Sequence, residues 1–295
     1  MPSNLPQPAF ETPMQLGESP LWSPGEATLY WIDIPGRAVH RLHPASGAHR
    51  QWPMPSEPGC IALCDGGLVV ALRSGLAFLD TERGQLSPFL QAPYDTGTTR
   101  FNDGRCDAAG RLWVGTLYEP RSHPLGTLFC IERGRLIDAR HPVTVSNGVA
   151  FSPDARTFYH ADTTAHRITA YDFDVATGTA SNPRLFRQFS TDRTANYDGR
   201  PDGAAVDSEG AYWCAMMEGS RVLRLAPSGE IMHEIHLPVR CPTMVAFGDD
   251  DLRTLYITTA RYNRGAEELE RHPLSGYLLS LRVDVAGQLE TPYLR

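Results

Sequence analysis

A turn-and-aromatic pattern recurs six times along the chain, and it constrains the fold more than any other feature. Phe101-Asn102-Asp103-Gly104 leads through Asp107 to Gly110-Arg111-Leu112-Trp113. Pro201-Asp202-Gly203 leads through Asp207 to Gly210-Ala211-Tyr212-Trp213. Counted from Asn102 and from Asp202, the Gly falls eight residues on and the Trp eleven. A third copy runs from Asn147 through Ser152-Pro153-Asp154 to Phe158-Tyr159, and a fourth from Glu18 through Ser23-Pro24-Gly25 to Tyr30-Trp31. Weaker copies start near Ile61 and Thr243 and turn at Asp65-Gly66-Gly67 and Asp249-Asp250-Asp251. The starts at 18, 61, 102, 147, 202 and 243 lie 43, 41, 45, 55 and 41 residues apart.

Each unit reads as a short apolar strand, a Pro/Asp/Gly turn, a strand carrying Leu, Tyr or Trp, and two more strands around a turn such as Thr177-Gly178. Four strands in about 40 residues make one blade of a propeller. The 26 Gly and 24 Pro supply the turns, and such punctuation is incompatible with a helical solenoid. The expectation is an all-β chain, a six-bladed β-propeller with four antiparallel strands per blade, forming a single domain over residues 1–295. The longest interval assigns its extra residues to the polar loop Thr191–Asp198. The segment before Glu18 is expected to add a strand to the last blade beside Gly276–Leu281.

The net charge is -7, and no Lys/Arg block stands out. This argues against nucleic-acid and anionic-membrane partners. Six Cys, none in a C-x-x-C pair, fit buried thiols better than a disulfide framework or zinc ribbon. No apolar run approaches the length of a membrane span. Residues 1–10 lack the basic start and apolar core of a signal peptide. A cytoplasmic protein, monomeric or weakly homo-oligomeric, is the expectation.

In a propeller the first strand of each blade lines the axial channel, so equivalent positions of different blades meet. Glu18, Asn102, Asn147 and Asp202 hold such positions. Two carboxylates with one or two amide oxygens suit a hard divalent cation, and the ion offsets the cost of burying the carboxylates. Taken singly, Asn147-Gly148 or Asp202-Gly203 is an ordinary turn sequence; the shared register is what points to a site.

At these residues the chain resembles the gluconolactonase family that includes regucalcin. The matching motifs are Leu16–Trp22, Arg100–Gly104, Gly110–Thr116, Ser146–Asp154, and Pro201-Asp202-Gly203 with Gly210–Trp213. They cover residues 16 to about 282. The resemblance implies one divalent metal ion on Glu18, Asn147 and Asp202. It also implies substrate contacts from Arg100, Asn102 and Glu119, and a second role for Asp202 as general base. The ion is one of Ca²⁺, Mg²⁺, Mn²⁺, Zn²⁺ or Fe²⁺. One departure is Ser19, where the family has Gly after the Glu.

A lactone is an ester, and its hydrolysis needs a polarised carbonyl and an activated water, both of which a metal can supply. The implied activity is hydrolysis of a sugar-acid (aldono) lactone, a small-molecule substrate. The alternatives are a metal-dependent esterase or phosphotriesterase, and a non-catalytic calcium-binding propeller. No G-x-S-x-G, H-E-x-x-H, G-x-G-x-x-G or P-loop pattern occurs. His233 and His236 fall on opposite faces of one strand and form no metal pair.

Overall fold

The computed structural model describes residues 5–194 and 197–295, with the backbone alone at 139–141. Among the described residues the chain forms six four-stranded antiparallel sheets. Their innermost strands are Gly17–Ser23, Pro58–Cys64, Thr99–Cys106, Ser146–Phe151, Arg200–Val206 and Pro242–Gly248, for blades 1 to 6 in turn. In blades 1 to 5 three more strands follow outward in sequence order. This is the expected six-bladed propeller.

The packing follows from the sequence pattern. A blade is covered on both faces by its neighbours, so its middle strands read as continuous apolar runs, such as Leu68-Val69-Val70. The core is therefore divided among six interfaces rather than gathered at the centre. Leu21, Tyr30, Ile32 and Trp52 of blade 1 pack on Ile61, Leu68 and Leu79 of blade 2. Trp113 and Leu128 of blade 3 meet Val149, Phe158 and Phe173 of blade 4. Trp22, Trp31, Tyr256 and Leu278 join blades 6 and 1. With the apolar side chains spent between blades, the axis is left for polar groups.

Ring closure is two-part. Gln7–Phe10 pairs antiparallel with Leu278–Arg282, so the N-terminal segment supplies the outer strand of blade 6, as its position in the sequence suggested. At the other end of the chain, residues 283–295 cross one mouth of the channel. Gly287 N–H donates to Leu252 O at 2.8 Å, Ala286 O accepts from Ser208 N–H at 2.9 Å, and Tyr293 N–H donates to Leu63 O at 2.7 Å. Glu290 pairs with Arg105. The Arg105 guanidinium spans the axis to Val149 O at 3.0 Å and Ala204 O at 2.7 Å. This mouth lies at the C-terminal ends of the inner strands, so the site must open at their N-terminal ends.

The turn motif that revealed the blades has a structural purpose. Asp207 is fully buried. Its Oδ1 accepts from Glu209 N–H and Ala211 N–H at 3.0 and 2.9 Å, and its Oδ2 from Trp213 Nε1 and Arg224 Nε, both at 2.8 Å. Asp107 does the same with Ala109, Arg111 and Trp113, but there the guanidinium comes from Arg111 of the turn itself. Removing the carboxylate leaves the buried indole N–H and two turn amides without their acceptor and the half-buried Arg224 with Glu209 alone. Asp207→Ala is expected to lower the unfolding free energy by about 3 kcal/mol, the cost of leaving buried donors unsatisfied, read by urea denaturation; a loss below about 1 kcal/mol would contradict this account.

Two details of the sequence reading change. The inner strands are bulged at the ring position: the ladder shifts between Glu18 and Leu21, Phe101 and Gly104, Asn147 and Ala150, and Pro201 and Ala204. In blade 2 the shift falls between Pro58 and Cys60, so Gly59, not Ile61, is the equivalent residue. A Cβ there would stand 2.4 Å from Phe101 O, which no side chain tolerates. The long fourth interval is taken up partly by a 10-residue outer strand, Thr179–Gln188; of the loop assigned to it, Ala195 and Asn196 lie outside the described residues. All six Cys are buried and unpaired, and His233 and His236 are exposed on the outer strand of blade 5.

Candidate functional site

The bulges turn the ring residues toward the axis. At each bulge two residues oppose one, which re-aims a side chain without breaking the sheet. Ser19 sits in the bulge after Glu18 with φ 49°, and Gly148 in the equivalent bulge with φ 59°. The position demands a left-handed backbone, which glycine adopts most readily. Ser19 is held there by its own hydroxyl, whose Oγ accepts from Ile61 N–H at 3.0 Å. Its backbone N–H donates to Glu18 Oε2 at 2.9 Å.

One continuous chain of hydrogen bonds joins blades 3, 4 and 5. Arg100 Nη1 donates to Asn102 Oδ1 at 2.8 Å, Asn102 Nδ2 to Asn147 Oδ1 at 2.8 Å, and Asn147 Nδ2 to Asp202 Oδ1 at 2.5 Å. Thr163 Oγ1 steadies the same amide nitrogen of Asn147 at 2.8 Å. Glu18 completes the ring from blade 1. Five of the six residues singled out from the sequence are thus buried around one axis.

The sixth, Glu119, stands at the rim. Its carboxylate is held in a two-pronged pair by Arg73 at 2.7 and 3.0 Å and lies 3.9 Å from Arg100 Nε. Arg73 is also paired with Glu57 at 3.0 Å. Arg73 comes from a turn of blade 2 that no repeat position marks, so sequence reasoning passed over it.

The electrostatics of the ring are unusual. Burial pushes the Glu18 carboxyl well above its usual range, and the facing Asp202 and Asp103 charges push it further. Asp202 is raised by burial to about 7, although Arg200 pulls it back. Among the described residues neither carboxylate has an ion-pair partner. Asp103, next to Asn102, is a third buried carboxylate that the sequence reading left out. Its Oδ2 accepts from Val149 N–H at 2.9 Å, while its Oδ1 is buried with no hydrogen-bond partner among the described residues.

This donor set fits a hard divalent cation. Two buried, unpaired carboxylates that repel each other are costly unless protonated or matched by positive charge. Among the described residues no three His, Cys, Asp or Glu side chains are arranged to hold a metal. A further oxygen ligand would come from outside those types, and the Asn147 amide of blade 4 stands hydrogen-bonded beside Asp202. Its amide presents nitrogen to Asp202 here; turning it over presents oxygen instead, an exchange to which amide assignments are open.

Residues 16–261 match the model of the SMP-30/Gluconolactonase/LRE-like region, and the chain belongs to that family. It is 47% identical over 287 residues, covering 94% of both chains, to a Pseudomonas putida protein named 6-deoxy-6-sulfogluconolactonase. It is 34% identical to a pentonolactonase of Haloferax volcanii, over 85% of this chain and 83% of that one. Among solved structures, a protein of Agrobacterium tumefaciens described as a calcium-binding regucalcin superposes with TM-score 0.92 at 29% identity, covering 98% of this chain and 97% of that one.

Proposed function

We propose that the protein hydrolyses the ring ester of an aldonolactone to the open aldonic acid, with one divalent metal ion held by Glu18, Asn147 and Asp202. The observation that carries this reading is the pair of buried carboxylates, Glu18 and Asp202, raised together and without an ion-pair partner among the described residues. The relatives' names support the substrate class, since the Pseudomonas and Haloferax proteins are both named for polyhydroxylated cyclic esters.

A divalent ion bound there supplies Lewis acidity to the ester carbonyl and to water. The rest is the work of the chain's own residues. Arg100 and Asn102 donate hydrogen bonds to the substrate's oxygens and orient the ring over Asp202. Asp202 takes the proton from the attacking water as the water's oxygen bonds to the carbonyl carbon. The ring C–O bond then breaks, and the departing ring oxygen receives that proton and becomes a hydroxyl. Glu119 accepts from a sugar hydroxyl at the rim. The capped far mouth leaves one approach for the substrate. We place the activity in the cytoplasm, in a monomer or weak homo-oligomer.

The test is a panel of aldono-1,4- and 1,5-lactones followed by pH indicator, with chelator-stripped protein and each of Ca²⁺, Mg²⁺, Mn²⁺, Zn²⁺ and Fe²⁺ added back. Turnover restored by at least one ion is the expected result. Hydrolysis at the spontaneous rate with every ion would sink the reading and favour a phosphotriesterase or a calcium-binding protein without catalysis.

A further inference from the structure

Blade 5 carries a guanidinium at the same place as blade 3. Arg100 stands two residues before Asn102, and Arg200 two residues before Asp202, on equivalent inner strands. Alternation of side chains along a strand puts each on the face of its ring residue, one layer nearer the open mouth. Blade 4, between them, has the apolar Val145 at that place.

A second guanidinium reaches the same area. Arg121 follows the second strand of blade 3, with a left-handed φ of 53° that aims the turn. The residue is exposed at the rim. Partial burial of its guanidinium and then the charge of Arg200 lower its affinity for a proton, and Asp202, Glu119 and Glu218 raise it. Among the described residues the Arg121 side chain has no hydrogen bond and no ion pair.

The local charge does not balance. Glu218 is shared by Arg193, by Arg200 at 3.5 Å and by Arg264 at 3.1 Å. Arg264 is matched by Glu268, both of whose oxygens it holds at 2.7 Å. Among the described residues Glu218 is thus the one ion-pair partner of Arg193 and Arg200, and Arg121 has none. On the blade 2 side two carboxylates, Glu57 and Glu119, serve Arg37, Arg73 and Arg100. The positive charge is thus less well matched on the blade 5 side of the mouth, above a negative floor.

Resting on the lactonase reading, we propose that Arg121 and Arg200 receive a fixed negative charge at the exocyclic end of the lactone, so that the preferred substrate is an aldonolactone bearing a sulfonate or similar strong-acid group there. Planar guanidinium forks match the oxygens of such tetrahedral anions. The reacting ester then lies over Asp202 while the charged end points to blade 5, which fixes the substrate's direction in a ring of otherwise similar hydroxyl contacts. A neutral lactone lacks that handle.

The experiment compares glucono-1,5-lactone, 6-phosphogluconolactone and 6-deoxy-6-sulfogluconolactone on the metal-loaded protein, with Arg121→Gln, Arg121→Lys and Arg200→Gln. The wild type is expected to favour a charged lactone over the neutral one by about 10-fold or more in kcat/KM, as one charge-assisted hydrogen-bonded contact provides. The ratio between sulfonate and phosphate tells which anion the site fits. Arg121→Gln raises KM for the charged lactone by about 10-fold, with much less effect on the neutral one, and Arg121→Lys retains most of the preference. Arg200→Gln acts in the same direction. Equal use of neutral and charged lactones by the wild type, or an equal loss on both in Arg121→Gln, overturns the proposal. If no lactone turns over, the lactonase reading fails by itself. Calorimetry with 6-deoxy-6-sulfogluconate against gluconate then decides the anion site, and equal affinities overturn it.

Discussion

Asp202→Asn is expected to leave a folded protein whose lactone hydrolysis has fallen by about 10³-fold or more in kcat. The substitution keeps the shape of the side chain, and the Asn147 Nδ2 that now donates to Asp202 Oδ1 at 2.5 Å still finds an amide oxygen to accept it. What is lost is a charge and a base. The amide cannot take a proton from water, and one negative charge facing the cation disappears. Thermal melting with and without added metal separates these losses. A variant that no longer responds to metal has lost its ligand, whereas one that still responds but does not turn over has lost its base. Activity within about tenfold of the wild type would exclude Asp202 from both roles.

The blades were legible because their turns serve the fold directly. Asp107 and Asp207, each with a Trp six residues on, recur because each carboxylate ties down its own turn and indole. Glu18, Asn102, Asn147 and Asp202 were legible through that register, since a closed ring brings equivalent positions together. Residues outside the repeat were not legible. Arg73 and Arg121 enter from turns that differ between blades, and nothing in their spacing reveals where a guanidinium five bonds from the backbone will point. Asp103 was hidden by alternation, which assigns neighbours to opposite faces; the bulge at Phe101–Gly104 lets Asn102 and Asp103 both be buried near the axis. Blade 2 misled by two residues because Gly59 has no side chain to announce the ring position. The capping tail carries no motif at all, and its place follows only from the contacts of Glu290 and Tyr293.

The metal-free protein is expected to lose stability as pH rises from about 5 to 8, relative to Asp202→Asn measured alongside it. The reason lies in proton linkage. Unfolded, Asp202 titrates near its ordinary 3.8; folded and without a cation, it titrates at about 7. Between those values the folded protein holds a proton that the unfolded chain has released, so raising the pH favours unfolding. The contribution is complete once the pH passes the folded value, and it amounts to up to about 4 kcal/mol. Glu18, also raised by burial and by Asp202, acts in the same direction. Asn at position 202 does not titrate, so subtracting its unfolding curve removes the opposite trend of carboxyls such as Glu218 and Asp251, which are held below their usual range. A bound divalent ion replaces the missing proton with positive charge. It should erase the pH trend and add about 4 kcal/mol when present at a thousand times its Kd. A difference between the two proteins that stays constant from pH 5 to 8 would mean that the Asp202 carboxyl meets no such strain. Equal stabilisation of both by metal would mean that the ion binds elsewhere. If the trend is present without metal and gone with it, the two buried carboxylates are there to hold an ion, since Arg100 and Arg200 offset their charge only in part.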